Sequence, residues 1–88
     1  MRILWSTNAR EDYLHWRKTD AKIHGWINDL VKDIQRDPFK GLGKPEPLKH
    51  ALQGYWSRRI SQEHRLVYRI SGKGNDRILE IVQCRYHY

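Results

Sequence analysis

The chain reads as an α+β domain, two N-terminal helices packed on one face of a small, twisted, mainly four-stranded antiparallel sheet. Three observations predict it. Apolar residues recur at helical spacing from Ile23 to Ile34, Arg65 to Ile70 alternates with period two, and strand-like runs stand at both ends of the chain. The resulting order is strand, helix, helix, strand, strand, strand. At 88 residues a single domain spanning 1–88 is expected. A domain of that size buries only roughly 60–65% of its unfolded surface, so any site is expected to be a shallow groove.

Arg2 to Trp5 is short and apolar and gives way to Ser6, Thr7 and Asn8, a strand followed by a helix cap. Asn8 and Glu11 have capping-box spacing, and Ser6 is an equally good cap. Ala9, Tyr13 and Trp16 then recur at helical spacing. Thr19 and Asp20 offer a cap to a second helix, whose Ile23, Trp26, Ile27, Leu30, Val31 and Ile34 fit the i, i+3, i+4, i+7 pattern. The same spacing assigns Trp16 and Trp26 to core packing rather than to stacking on a ligand. Asp37-Pro38 ends the helix, because a residue before proline is driven out of helical backbone.

Pro38 to Pro47 holds three prolines and two glycines and is the longest irregular segment, leading into a turn or short helix over Leu48 to Gly54. Tyr55 to Ile60 reads as a strand, Ser61 to His64 as a turn and Arg65 to Ser71 as the returning strand. Alternation places Leu66, Tyr68 and Ile70 on the helix side and Arg65, Val67 and Arg69 toward solvent, and it sets Arg58 opposite to Arg59. Trp56 is expected in the core. A polar turn over Ser71 to Asp76 leads to a last strand, Arg77 to Tyr86.

Lys and Arg outnumber Asp and Glu by 17 to 10, a balance of +7 that suits nucleic acid or an acidic protein partner. The one cysteine, Cys84, has no partner for an internal disulfide, and the N-terminus lacks a signal-like apolar run, so a cytoplasmic location is expected. No apolar run approaches the roughly 20 residues needed to cross a bilayer, and no membrane partner is expected. Cys84 and His87 have ligand-like spacing, but a structural zinc site needs about four converging ligands, so no metal site is expected. No nucleophile motif of a serine hydrolase is present.

Chemistry-bearing residues concentrate in Gly43 to Tyr68, with a coda of Cys-Arg-Tyr-His-Tyr at 84–88. Pro45 and Pro47 stiffen the backbone on both sides of Glu46, holding one carboxylate on a rigid loop. Lys44 and Lys49 flank it, and Arg58, Arg59 and Arg65 follow on two strands, a set suited to a phosphate-bearing partner. Equally, a rigid turn in a solubilising basic surface has this composition, and Arg65 in a strand commonly pairs with a carboxylate.

The run K-P-E-P-L-K-H, then W-S-R-R-I, E-H-R-L-V-Y and C-R-Y-H-Y, with I-L-W-S at the start and D-P-F before the loop, closely resembles the YoeB (Txe) family of toxins from bacterial toxin-antitoxin pairs, within the RelE/ParE superfamily. The resemblance spans almost the whole chain. It implies a type II toxin acting as a ribosome-dependent messenger-RNA endoribonuclease that cuts in the ribosomal A site and inhibits translation. In that reading Glu46 is the general base, Arg65 stabilises the phosphate, and His87 and Tyr88 act at the leaving group and the nucleotide. The resemblance also implies Lys49 and Arg59 as supporting cations, and Lys44 and Arg85 are further RNA-binding candidates. No cofactor is implied. Metal-free cleavage needs a base for the ribose 2′-hydroxyl, a cation for the charge growing on phosphate and an acid for the departing 5′-oxygen, and each residue type is present. A carboxylate ringed by lysine and arginine is a weak base, which suits an enzyme whose substrate the ribosome holds in a reactive geometry. The implied partners are messenger RNA, the ribosome, a cognate antitoxin and, in some states, a second copy of the chain. The Ser71 to Asp76 turn is longer than in the family's shorter members. With the acid near the end of the chain, extension past Tyr88 is expected to lower activity. Two other readings use the same basic surface: a non-catalytic binder that blocks the ribosome, and an inhibitor of DNA gyrase like the ParE branch.

Overall fold

Ser6 opens the first helix because its hydroxyl accepts the Ala9 amide at 3.0 Å, so this residue, and not the Asn8/Glu11 box, is the cap. The computed structural model describes all 88 residues. Strand β1 (Arg2–Trp5) precedes helix α1 (Thr7–Thr19) and helix α2 (Ala21–Arg36). Asp20 caps α2 by accepting the amides of Lys22 and Ile23. Four further strands follow: β2 (Glu46–Pro47), β3 (Trp56–Arg59), β4 (Arg65–Ser71) and β5 (Ile78–Gln83), with short 3-10 turns at His50–Leu52 and Gly74–Asp76.

The sheet order is β1-β5-β4-β3-β2. It therefore has five strands, four of them substantial and one a two-residue edge, and it is antiparallel except where β1 runs parallel to β5. The parallel pair arises because β5, the end of the meander, returns beside β1 running in the same direction. Proline is tolerated in β2 because an edge strand leaves one row of amide positions unpaired.

Helices cover one face. Ile27, Leu30 and Ile34 of α2 and Ala9 and Trp16 of α1 pack with Leu66 and Tyr68 of β4 and Leu79 and Ile81 of β5. At roughly 25 cal/mol per Å² of apolar area, this cluster is the main favourable term. Trp56 packs at its margin, 4.9 Å from the Phe39 ring.

Two expectations need correction. Val67 is buried rather than solvent-facing, although it points away from the helices, and the end of the chain lies along that second face, with Tyr88 reaching Ser57, the cross-strand partner of Val67. The final strand ends at Gln83 rather than Tyr86: its pairing passes a register shift at Val67/Tyr68 and closes at Val67 with Gln83, and Tyr86 beyond it takes a left-handed φ of 65°.

Candidate active site

Cross-strand partners share a face of a sheet. Glu46 lies opposite Ser57, Ser57 opposite Val67, and Val67 opposite Gln83, so these four form one row across the face away from the helices. Two residues along β3 and β4, the paired Arg59 and Arg65 stand on that same face. Strands about 4.8 Å apart place the Arg59 and Arg65 backbones roughly 8–12 Å from that of Glu46, within reach of long side chains. Arg58 points the other way, as alternation predicts.

The loop carrying Glu46 is fixed from below. Fully buried Arg58 donates from Nη1 to Asp33 Oδ2 at 2.5 Å and to Leu42 O at 2.9 Å, and from Nη2 to Asp37 O at 2.7 Å and Lys40 O at 3.3 Å. Its Nε donates to Tyr68 Oη, which in turn donates to Pro38 O at 2.6 Å. The Leu42 amide donates to Asp33 Oδ2 at 2.8 Å. That amide, together with the guanidinium groups of Arg58 and Arg36, holds the Asp33 carboxyl down at about 2. Burial pushes the Tyr68 phenol up. At the loop's far end Gly43 takes φ 76° and its carbonyl accepts the Arg59 amide at 2.7 Å, with no room for a Cβ beside Leu30. Glu46 thus projects from backbone anchored on both sides.

Three ion pairs occur, Arg36–Asp33, Arg58–Asp33 and Arg69–Glu80. Glu46, Lys44, Lys49, Arg59, Arg65 and Arg85 take part in none of them. Arg65 binds backbone, its Nη1 donating to Ser61 O, Gln62 O and His64 O, so the guanidinium is oriented without being neutralised. Lys44, Arg59 and Arg65 line one open groove of about 720 Å³ with Trp26 and Gln62. Glu46, Lys49, His50 and Tyr88 line a second hollow of about 370 Å³.

The last residues cross this face. Tyr88 Oη lies 3.5 Å from Ser57 Oγ, directly beside the Glu46 partner position, and the His87 ring sits 4.7 Å from the Tyr88 ring. Arg85 stacks over Tyr86 at 4.6 Å and lines neither hollow. Cys84 is buried with its Sγ on Ala9 O while His87 is exposed, and no three His, Cys, Asp or Glu side chains gather in metal-binding geometry.

A model of the YoeB-like toxins of bacterial type II toxin-antitoxin systems matches residues 5–88. The chain belongs to this family. It is 54% identical over 88 residues to Toxin YoeB of Escherichia coli strain K12, covering all of both chains. The solved YoeB/ParE toxin from Agrobacterium tumefaciens superposes with a TM-score of 0.96 at 53% identity over the full length of both. In the YoeB-YefM complex from Staphylococcus aureus the matching chain is 44% identical with a TM-score of 0.88, covering 100% of this chain and 98% of that one.

Several residues that shape the site of this YoeB-like toxin carry no sequence signal. Ser57 is a small polar residue in a strand. Trp26 has core spacing yet is half-exposed, walls the cationic groove and donates its Nε1 to Arg59 O. Asp12, Trp16 and His64 hold the last residues in place from positions 20 or more residues away in sequence. Of the eight residues expected at the site, only His87 and Arg85 line neither hollow, and His87 is tied to one through Tyr88.

Proposed function

We propose that this chain is a ribosome-dependent messenger-RNA endoribonuclease, the toxin of a type II pair, cutting messenger RNA in the ribosomal A site. The observation that carries the reading is an unpaired Glu46 sharing a hollow with Lys49 and Tyr88, on the same sheet face as unpaired Arg59 and Arg65. Glu46 takes the proton of a ribose 2′-hydroxyl, whose oxygen attacks the adjacent phosphorus. Arg65, with Lys49 and Arg59, meets the negative charge that builds on the phosphoryl oxygens. His87 gives a proton to the departing 5′-oxygen, and Tyr88 packs against the nucleotide. The products are a 2′,3′-cyclic phosphate and a 5′-hydroxyl, and no other reactant is consumed.

The ribosome supplies orientation that an open groove does not, and effective molarity from such positioning can account for about 7 kcal/mol or more of a barrier. The partners are messenger RNA, the ribosome, a YefM-like antitoxin of the kind seen with the Staphylococcus aureus YoeB, and a second copy of the chain as in the YoeB dimer from that organism. Primer extension on messenger RNA in a translating extract tests this reading. The expected result is a discrete A-site cut that Glu46→Ala and His87→Ala weaken at equal protein concentration. Arrest of translation without any cut, undiminished in both variants, would establish a non-catalytic blocker instead.

A further inference from the structure

The site's two halves come from distant parts of the chain, Arg65 at the start of β4 and His87 with Tyr88 after β5, and a single residue joins them. Tyr86 O accepts the Arg65 amide at 3.0 Å, and the Tyr86 amide donates to His64 Nδ1 at 2.7 Å. In an antiparallel ladder that amide would find a backbone carbonyl. Here β5 has already ended and Tyr86 has a φ of 65°, so the His64 ring supplies the acceptor and extends the pairing one step past the strand. A backbone amide only donates, so Nδ1 is the unprotonated nitrogen and any ring proton sits on Nε2.

His64 is itself held. Its amide donates to Ser61 Oγ at 3.2 Å, its carbonyl accepts from the Ile60 amide and from Arg65 Nη1, and its ring meets the Trp16 ring edge-on at 4.8 Å. The same Trp16 donates its Nε1 to Cys84 O at 2.8 Å. One residue therefore touches the turn that orients the Arg65 guanidinium, the helix that anchors residue 84 and the amide of the residue just before His87.

We infer that His64 is a positioning residue, whose Nδ1 fixes the last three residues relative to Arg65. It acts through Tyr86 and touches no substrate, and the inference rests on the reading of His87 and Tyr88 as participants in cleavage. Without the acceptor, Tyr86 keeps one backbone hydrogen bond, and residues 86–88 swing about the anchored Cys84 while the sheet stays intact.

Three variants separate this from a merely structural role. Phenylalanine at 64 keeps a ring against Trp16 and removes the acceptor. Asparagine places its Oδ1 at the same distance along the side chain as Nδ1, and glutamine carries its carbonyl one bond further. With His64→Phe, kcat in the ribosomal cleavage assay is expected to fall about 10- to 100-fold, the range that misplacement by about 1 Å produces, with KM changed less than about threefold. His64→Asn is expected to recover most of that loss and His64→Gln less. Independently of activity, amide hydrogen exchange at Tyr86 is expected to quicken about tenfold or more in His64→Phe and to return toward wild type in His64→Asn, because the lost bond opens one local unit. The Cys84 amide, held by Asp12, serves as the folding control and stays protected in all three. Unchanged Tyr86 exchange and unchanged kcat in His64→Phe would overturn the inference, as would an asparagine variant no better than phenylalanine in either readout. Should the wild type make no cut, the functional reading fails by itself, and the exchange arm still decides whether His64 holds the tail.

Discussion

The Cys84 amide donates to Asp12 Oδ2 at 3.1 Å, joining the first helix to a residue 72 positions later in the sequence. One turn further along α1, Trp16 donates its Nε1–H to the Cys84 carbonyl, so side chains at i and i+4 satisfy both backbone groups of one residue. Burial, the larger effect, pushes the Asp12 carboxyl above its usual value, and the Cys84 amide and Arg85 work against it.

Replacing Asp12 with alanine leaves the buried Cys84 amide without a partner, so a loss of about 1–3 kcal/mol in urea unfolding is expected. Exchange at the Cys84 and Tyr86 amides is expected to rise together. A stability change below about 0.3 kcal/mol would mean that the amide finds another acceptor.

Neighbouring Arg58 and Arg59 are expected to behave oppositely. Arg58 is fully buried on five acceptors, and its removal takes the buried cation from the Asp33 carboxylate and leaves the loop carbonyls without their donor, costing about 3–5 kcal/mol. Arg59 is exposed and unpaired, so Arg59→Ala is expected to leave stability within about 0.5 kcal/mol while lowering cleavage about tenfold or more. Urea titration and primer extension on both variants give the comparison, and loss of stability in Arg59→Ala would assign it a structural role in place of the proposed catalytic one.

Asp33 predicts a pH dependence. Its folded value of about 2 lies below the ordinary 3.8, so the unfolded chain binds the proton more readily. The stabilisation is therefore full above about pH 5 and is lost as pH falls through 4 toward 2. The gap in unfolding free energy between wild type and Asp33→Asn is expected to shrink across that window. A gap that stays constant from pH 6 to pH 3 would show that the ionised carboxylate is not what holds the loop.

The helices were legible because their causes are local. Six apolar residues at 3.6 spacing specify α2, and Asp37-Pro38 specifies its end. Glu46 stood out because two prolines bracket it. The Glu46–Pro47 strand did not, since two residues carry no period and exist as a strand only through pairing with β3. Val67 was misplaced for a related reason: alternation tells which face a residue takes, and says nothing of what later covers that face. The anchors of the last residues were invisible because an aspartate at 12, a tryptophan at 16 and a histidine at 64 acquire their roles only from tertiary neighbours.

Cys84 turns that anchoring into a measurement. Its thiol is fully buried, and burial, with the nearby Asp12 charge, pushes it up to about 12. At pH 8 only roughly one thiol in ten thousand is then ionised, and the thiolate is the reactive form. A disulfide reagent is expected to leave the native protein unlabelled over minutes and to titrate one thiol per chain at once in urea. Because the residue is reached by lifting the segment that Asp12 and Trp16 grip, Asp12→Ala is expected to label faster than wild type at a pH and temperature where both remain folded. Rapid labelling of the native wild type would mean that the clamp opens readily, and that residues 84–88 spend much of their time away from the sheet face that carries Glu46.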